Sequence, residues 1–309
     1  MMRFSPLTER VAGKGVEAWA IHHAAVHCRD AGEDVILLTV GNPDQAPPAP
    51  LIEATVSALR EHRTGYAPTI GYPWLREAIA ARQARHTGQP CTADNVAVVP
   101  GAQGGLFAAL QCLAGAGDEV IVLEPTYATY EAVVGATAAR IVLAPLRSDR
   151  GFHPDIDRIA AAVTPRTRVL WSNTPHNPTG AVFTPEEIAG IAAICRRRDL
   201  WLLSDEVYED LAFARPHLSA WSLPDMAERT VVVSSLSKIA RAASVPAWLG
   251  RRAAGANASP NQPAPVHDLW QPGLYPGRRA GGFHRRTSRG RDAARRLSDP
   301  GRAGLPHPR

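Results

Sequence analysis

The chain has 309 residues, 45% of them hydrophobic, and a formal net charge of +5. A chain of this length and composition can bury a sizeable core, so we expect a globular protein of one large domain or two smaller ones. No run of about 18 apolar residues is present and the N-terminus lacks the layout of a secretory signal, which predicts a cytoplasmic protein without a membrane partner.

The positive charge is concentrated in the last part of the chain. Of the 34 basic and 29 acidic residues, 13 Arg and 3 Asp lie at positions 239–309, which leaves 21 basic and 26 acidic residues before them. The first 238 residues are therefore mildly acidic, which argues against nucleic acid as a partner. The arginine-rich end lacks aromatic interleaving and helical periodicity, so nucleic-acid or membrane binding by this segment is the less favoured alternative.

The four cysteines, Cys28, Cys91, Cys112 and Cys195, are widely spaced. Their spacing matches neither a disulfide framework nor the paired ligands of a zinc site. We expect four reduced thiols and no bound metal.

Short apolar runs rich in β-branched residues alternate with helical patterns along the chain. In chain order, the runs predicted as strands are VILLTV (35–40), NVAVV (95–99), EVIVLE (119–124), RIVLAPL (140–146), RVLWSN (168–173), LWLLSDE (200–206) and TVVVSS (230–235). The helical patterns are LIEATVSALREH (51–62), LREAIAARQARH (75–86), GGLFAALQCLAG (104–115) and EEIAGIAAICRRR (186–198). This alternation predicts an α/β fold, a mainly parallel sheet covered by helices.

Polar or glycine residues follow five of the predicted strands, at positions 41–44, 101–104, 173–180, 205 and 234–238. Ligands bind at the carboxyl ends of the strands in sheets of this kind. We therefore expect these segments to form one site.

Lys238 is one of only two lysines, with Lys14, in a chain that contains 32 arginines. An arginine keeps its proton, whereas a lysine amine can be deprotonated in a suitable pocket and form a Schiff base with an aldehyde. Ser235 and Ser237 flank Lys238 with hydroxyls suited to phosphate oxygens. The alternative is a solvated surface lysine, the usual place of this residue type.

Gly101, Ala102 and Gln103 precede an apolar helical pattern. Free backbone amides and the helix dipole favour an anion at the start of a helix, so these residues are a candidate phosphate cradle. The alternative is a simple turn.

Asp205 ends the apolar run LWLLSDE, where a half-buried carboxylate needs a cation or a hydrogen-bond donor. A protonated pyridine nitrogen is such a partner, and an aspartate at that nitrogen makes the ring a better electron sink. Tyr208 can reach a ring oxygen from the same turn. The alternative for Asp205 is a helix cap.

The motifs SNTPHNPTG (172–180), SDEVYEDLAF (204–213) and SSLSK (234–238) resemble, in that order and at these separations, the class I and II aminotransferases of pyridoxal phosphate fold type I. The resemblance covers residues 4 to 238. It implies that Lys238 is the Schiff-base lysine and proton shuttle, that Asp205 pairs with the pyridine nitrogen, and that Asn177 and Tyr208 hold the ring oxygen.

The same resemblance implies further contacts to cofactor and substrate. Tyr127 would stack on the ring, and Ala102, Gln103 and Ser235 would bind the phosphate, beside the candidates Gly101 and Ser237 already named. Tyr66 resembles the tyrosine that reaches the phosphate of the partner subunit, which implies a homodimer. Gly41 and Asn177 would contact the substrate.

The implied reaction moves an amino group from an amino acid to a 2-oxo acid. A β-lyase or a decarboxylase on the same scaffold remains an alternative, because fold and cofactor do not fix which bond breaks. Within the family, RVAGKGVEAWAIHHAAV (10–26) and QCLAGAGDEVIVLEPTYATYEAVVGA (111–136) most resemble arginine:pyruvate transaminases. A basic or neutral amino acid and pyruvate are therefore the expected substrates.

We expect three parts: an N-terminal segment of the small domain at 1–45, a truncated cofactor-binding large domain at 46–238, and an out-of-frame tail at 239–309. After Lys238 the resemblance stops, and lysine and glutamate vanish while arginine, glycine, proline and alanine accumulate. Trp248 before Leu249 and Trp270 before Gln271 each force a glycine in the shifted reading frame, where the family has one. The small domain would then be incomplete, and we expect no transaminase activity from this product.

Overall fold

A computed structural model describes residues 2–12, 15–41, 46–213, 215–239 and 247–250, with the backbone alone at 15–18, 239 and 247–250. The expected out-of-frame tail therefore lies outside the described residues, apart from 239 and 247–250. The three domain boundaries remain predictions.

Helices form where the sequence predicts them, and the described residues add one helix of 16 residues and four shorter ones. The α-helices of the described residues are α1 (Leu7–Val11), α2 (Gly15–Asp30), α3 (Ala49–Arg60), α4 (Pro73–Thr87), α5 (Gly101–Leu113), α6 (Tyr130–Ala136), α7 (Ile156–Ala162), α8 (Pro185–Arg198) and α9 (Leu236–Ile239). Local signals set their ends. At the start of α8, Thr184 and Glu187 form a reciprocal capping box, and α4 ends at Gly88 in the left-handed conformation.

Seven strands form one sheet in the order β1-β7-β6-β5-β4-β2-β3. Their bounds are β1 (Val96–Val99), β2 (Glu119–Glu124), β3 (Arg140–Pro145), β4 (Thr167–Asn173), β5 (Trp201–Asp205), β6 (Thr230–Ser235) and β7 (Ala247–Gly250). Strands β2 to β6 pair in parallel, and β7 runs antiparallel between β1 and β6. The sheet is mainly parallel, as predicted, but β7 was not anticipated from the sequence.

Helices cover both faces of this sheet. On one face, α5 and α6 pack on alternate side chains of the strands, such as Val120, Val122 and Trp171. On the other face, α7 and α8 pack on the intervening side chains, such as Ile121 and Leu170. Because both faces are buried, the strands are almost continuously apolar, which is the pattern that made them recognisable.

The prediction of a strand at VILLTV (35–40) is wrong, since these residues have no regular secondary structure. Ile36 and Leu38 are 83% and 88% exposed. A strand needs a hydrogen-bonded neighbour, and in the described residues the seven strands of the sheet pair without this segment. Within the described parts of the chain, no helix is long and apolar enough to cross a membrane.

Candidate active site

Four of the five predicted site segments follow strands of the sheet. Asn173 at the end of β4 pairs with Asp205 at the end of β5. Strand β6 ends at Ser235, and the short helix that carries Lys238 starts at the next residue. Helix α5 begins at Gly101, just after β1. Because these strands run in the same direction, their carboxyl ends bring the segments to one edge of the sheet.

Asp205 is a buried carboxylate, 4% exposed. Its Oδ2 accepts a 2.7 Å hydrogen bond from the hydroxyl of Tyr130, and its Oδ1 accepts a 3.3 Å bond from the backbone N–H of Val207. Burial raises the pKa of Asp205 to about 6, although both hydrogen bonds favour the charged form. Tyr130 in turn stacks on Trp171, with 4.1 Å between ring centroids. The carboxylate is thus held in one orientation in an environment where a cationic partner would stabilise its charge.

Asn177 and Tyr208 meet beside this carboxylate. The Asn177 side-chain amide donates a 3.1 Å hydrogen bond to the Tyr208 hydroxyl oxygen. Asn173 orients the loop, because its Oδ1 accepts from the Asn177 backbone N–H at 2.8 Å while its amide donates to the Asp205 carbonyl at 3.0 Å. Burial raises the pKa of Tyr208, which keeps its hydroxyl protonated near neutral pH.

Lys238 lies next to the same tyrosine. Its Nζ is 5.7 Å from the centroid of the Tyr208 ring and donates a 3.4 Å hydrogen bond to the carbonyl oxygen of Gly41. Just before it, the buried Ser235 hydroxyl donates to Ser237 Oγ at 2.9 Å and accepts from the Ser237 backbone N–H at 3.1 Å. An amine and two hydroxyls are therefore gathered at the end of β6.

The start of α5 supplies the candidate phosphate cradle. Gly101 has φ of +71°, a left-handed conformation that favours glycine. Ala102 packs against the core of the sheet, which fixes the first turn of the helix. The Gln103 side-chain oxygen accepts a 2.8 Å hydrogen bond from the Thr129 hydroxyl.

The two remaining predicted residues differ in their surroundings. Tyr127 packs against the core and makes an edge-to-face contact with Tyr130, with 5.8 Å between centroids. Tyr127 therefore contacts the same tyrosine that donates a hydrogen bond to Asp205. Tyr66 is fully exposed, and its predicted role involves a second subunit, so that role stays a prediction.

The family model for aminotransferase class I and II matches residues 33–244. The chain belongs to this family. The match confirms the resemblance seen in the three motifs and extends a few residues past Lys238.

The chain is 47% identical over 237 residues to the arginine–pyruvate transaminase AruH of Pseudomonas aeruginosa, and the match covers 77% of this chain and 60% of that relative. It is 36% identical over 219 residues to the aspartate/prephenate aminotransferase of Thermus thermophilus, covering 71% and 56%. A solved aspartate aminotransferase from Thermus thermophilus with maleate matches with a TM-score of 0.77 at 33% identity, covering 81% of this chain and 65% of that one. This confirms the fold type I architecture. The chain spans less than two thirds of the length of these relatives.

Two residues of the candidate site were missed from the sequence. Tyr130, the hydrogen-bond donor to Asp205, stands three residues after Tyr127 in EPTYATY, and a second tyrosine at helical spacing was the available signal. Asn173 was included in a site segment but was given no role. Its link between two strand ends depends on their pairing in the sheet, which a sequence does not display.

Proposed function

We propose that this aminotransferase binds pyridoxal phosphate at the strand ends and transfers an amino group from an amino acid to a 2-oxo acid. The observation that carries the proposal is the buried carboxylate of Asp205, oriented by Tyr130 at the same sheet edge as the Lys238 amine. A buried carboxylate that faces no cation in the described residues favours a cationic ligand group.

The side chains at this edge match the chemical groups of that cofactor. When bound, pyridoxal phosphate supplies an aldehyde that condenses with amines and a ring that withdraws electrons. Asp205 suits the ring nitrogen, and the Asn177 amide with the Tyr208 hydroxyl suits the ring oxygen. The amides at the start of α5 and the hydroxyls of Ser235 and Ser237 suit the phosphate.

Each residue of the candidate site is assigned one role in amino transfer. The Lys238 amine would hold the aldehyde of the cofactor and would take the proton from the α-carbon of the amino acid. An ionised Asp205 would keep the ring nitrogen protonated, so the pKa of Asp205 must lie below the pH at which the enzyme works. Tyr127 would contact the ring, and the backbone of Gly41 and the amide of Asn177 would hold the substrate.

The proposed donor is a basic or neutral amino acid, and the proposed acceptor is pyruvate. Support comes from the 47% identity to a protein named arginine–pyruvate transaminase. A substrate screen on an enzyme whose reading frame is repaired after codon 238 tests the donor, and a strong preference for aspartate over arginine would contradict it. A keto-acid-dependent assay of the same repaired enzyme separates transfer from the alternative β-lyase or decarboxylase reactions.

We also propose a cytoplasmic homodimer in which Tyr66 reaches the phosphate bound by the partner subunit. Support comes from the full exposure of Tyr66, which leaves its side chain accessible to a second subunit. Sedimentation equilibrium with the Tyr66→Phe variant tests this. The variant should remain dimeric yet bind pyridoxal phosphate more weakly.

Residues 239–309 are proposed to be read out of frame, so that turnover by the 309-residue chain is not measurable. Support comes from the abrupt change in composition after Lys238 and from the two forced glycines. Sequencing the locus across codon 238 decides the matter. An uninterrupted frame, or robust turnover by this chain, would overturn the proposal.

The cofactor site itself is testable in the 309-residue chain. Addition of pyridoxal phosphate followed by borohydride and peptide mapping should place the pyridoxyl group on Lys238. Lys238→Ala should abolish this label, and Lys14→Arg, which removes the other lysine, should leave it intact. A label on Lys14 would refute the assignment.

A further inference from the structure

We infer that a cluster of ionisable side chains around two buried carboxylates, behind the strand ends, positions the cofactor-facing residues, with Glu206 and Glu209 as its positioning residues. This rear cluster consists of Arg82, His86, Glu206, Glu209 and His217, which contact one another as described below. The inference rests on the proposed function, because it assigns the cluster a purpose toward the same site.

The first half of the rear cluster is centred on Glu206, which is fully buried. Its Oε1 accepts hydrogen bonds from the hydroxyls of Ser204 and Ser219, at 2.8 and 2.9 Å. Its Oε2 lies 3.2 Å from Nε2 of His217, whose side chain is 1% exposed. Burial disfavours the charged imidazole, but the neighbouring carboxylate outweighs it, and the pKa of His217 is raised. The carboxylate therefore favours the charged form of the His217 imidazole.

The second half is centred on Glu209, whose side chain is also buried. Its Oε1 accepts a 2.7 Å hydrogen bond from the Ser234 hydroxyl and lies 3.3 Å from Nη1 of Arg82. His86 Nε2 lies 3.8 Å from the other carboxylate oxygen. The two halves meet where the rings of His86 and His217 stack, with 6.2 Å between centroids.

Each half is attached to the active site through the chain itself. Asp205 and Tyr208 serve the cofactor, and the residues that directly follow them, Glu206 and Glu209, are anchored in the rear cluster. On β6 the same relation holds between Ser235, in the candidate phosphate site, and Ser234, which bonds Glu209. The turn that presents Asp205 and Tyr208 therefore cannot shift without disturbing buried, charged hydrogen bonds.

Stability alone is a weak reason for such a cluster. Removing a charged group from water costs several kcal/mol per ion. A buried ion pair therefore stabilises a fold little compared with apolar side chains of similar size. A buried pair with directional hydrogen bonds does restrict geometry, and cofactor chemistry tolerates misplacement poorly. Glu206 and Glu209 each directly follow a cofactor-facing residue, so their place in the chain fits a role in positioning better than a role in stability.

The test compares two neutralised carboxylates in the 309-residue chain. Glu206→Gln keeps the size of the side chain but removes its charge. Glu119→Gln is the matched control, because Glu119 is equally buried and is paired with Arg140 and Arg166 at the amino end of β2. Ser204→Ala, which removes a single hydroxyl bonded to Glu206, provides a milder variant if Glu206→Gln fails to fold.

Two measurements separate positioning from general stability. Without cofactor, the amides of residues 205–211 should exchange with solvent about tenfold faster in Glu206→Gln, because the substitution removes the charge that faces His217. In Glu119→Gln their exchange should be unchanged. With pyridoxal phosphate, Glu206→Gln should bind about tenfold more weakly and alter the circular dichroism of the bound ring.

The outcomes are distinct. Equal exchange and equal cofactor binding in Glu206→Gln and wild type would overturn the inference, as would the same changes in Glu119→Gln. If the unmodified chain does not bind pyridoxal phosphate at all, the proposed function fails, and faster exchange at 205–211 in Glu206→Gln alone would still support positioning of the turn.

Discussion

Replacing Tyr130 by Phe isolates the hydrogen bond that orients Asp205. The Tyr130 hydroxyl donates to Asp205 Oδ2 at 2.7 Å, while its ring stacks on Trp171. Phe keeps the stacking and removes only the donor. Val207 then remains as the backbone donor, at the longer distance of 3.3 Å.

The size of the effect follows from the burial of the carboxylate. A hydrogen bond to a charged group contributes about 1.5 to 3 kcal/mol, and 1.36 kcal/mol corresponds to one pH unit. The pKa of Asp205, about 6 in the wild type, should therefore rise by about one to two pH units in Tyr130→Phe. At pH 7 a substantial fraction of Asp205 would then be protonated and unable to pair with a cationic ring nitrogen.

Carbon-13 NMR of labelled aspartate, titrated without cofactor, measures this pKa, and Asp205→Asn assigns the signal. Tyr208→Phe serves as control, since the Tyr208 hydroxyl accepts from Asn177 and makes no hydrogen bond to Asp205 in the described residues. An Asp205 pKa in Tyr130→Phe that equals or falls below the wild-type value would refute the reasoning.

Three further predictions concern stability, each measured by urea unfolding of the cofactor-free chain. The raised pKa of Asp205 means that folding favours its protonated form, so stability should fall as pH rises from 3.8 to about 6, by on the order of 3 kcal/mol, and Asp205→Asn should remove this fall. The pKa of Glu119 is lowered to about 2 by its hydrogen bonds, so its stabilisation is present above pH 4.5 and is lost as pH falls toward 2; an unchanged acid profile in Glu119→Gln would contradict this. Gly71→Ala should destabilise by about 2 kcal/mol or more, because φ is +95° and the new Cβ would lie 2.7 Å from Val98 Cβ. Gly88→Ala shares a positive φ but meets open space, so an equal loss in both variants would show that crowding at Val98 is unimportant.

Much of the fold was predictable because strands buried on both faces are almost continuously apolar. Runs such as EVIVLE and TVVVSS became β2 and β6 with the expected bounds. VILLTV is equally apolar and β-branched but has no regular secondary structure. Composition indicates the tendency to form a strand, but it does not show whether a neighbouring strand is available for pairing. For the same reason β7 escaped notice: its assignment rests on pairing with β1 and β6.

The candidate site was predictable wherever one motif contained the chemistry. Lys238, Asp205 and Tyr208 stand in short motifs with characteristic residue types, and their positions at the sheet edge follow from the strand ends. The contacts that hold them are long-range. Tyr130 and Asp205 are 75 positions apart, so their hydrogen bond became visible only once the sheet and α6 were packed. Glu206 was given no role from the sequence, because its buried partners Ser219 and His217 lie farther along the chain.

The place of β7 in the sheet bears on the order in which this protein can assemble. In the described residues β1 joins the sheet through β7 alone, and the pair Val99 and Ala247 closes a loop of roughly 150 residues. Closing so long a loop is slow, because its entropy is lost before any contact rewards it. During synthesis on the ribosome, strands β2 to β6 can pair with one another before residue 247 has been added. The edge strand β1 can therefore complete its pairing only after residues 247–250 have been made.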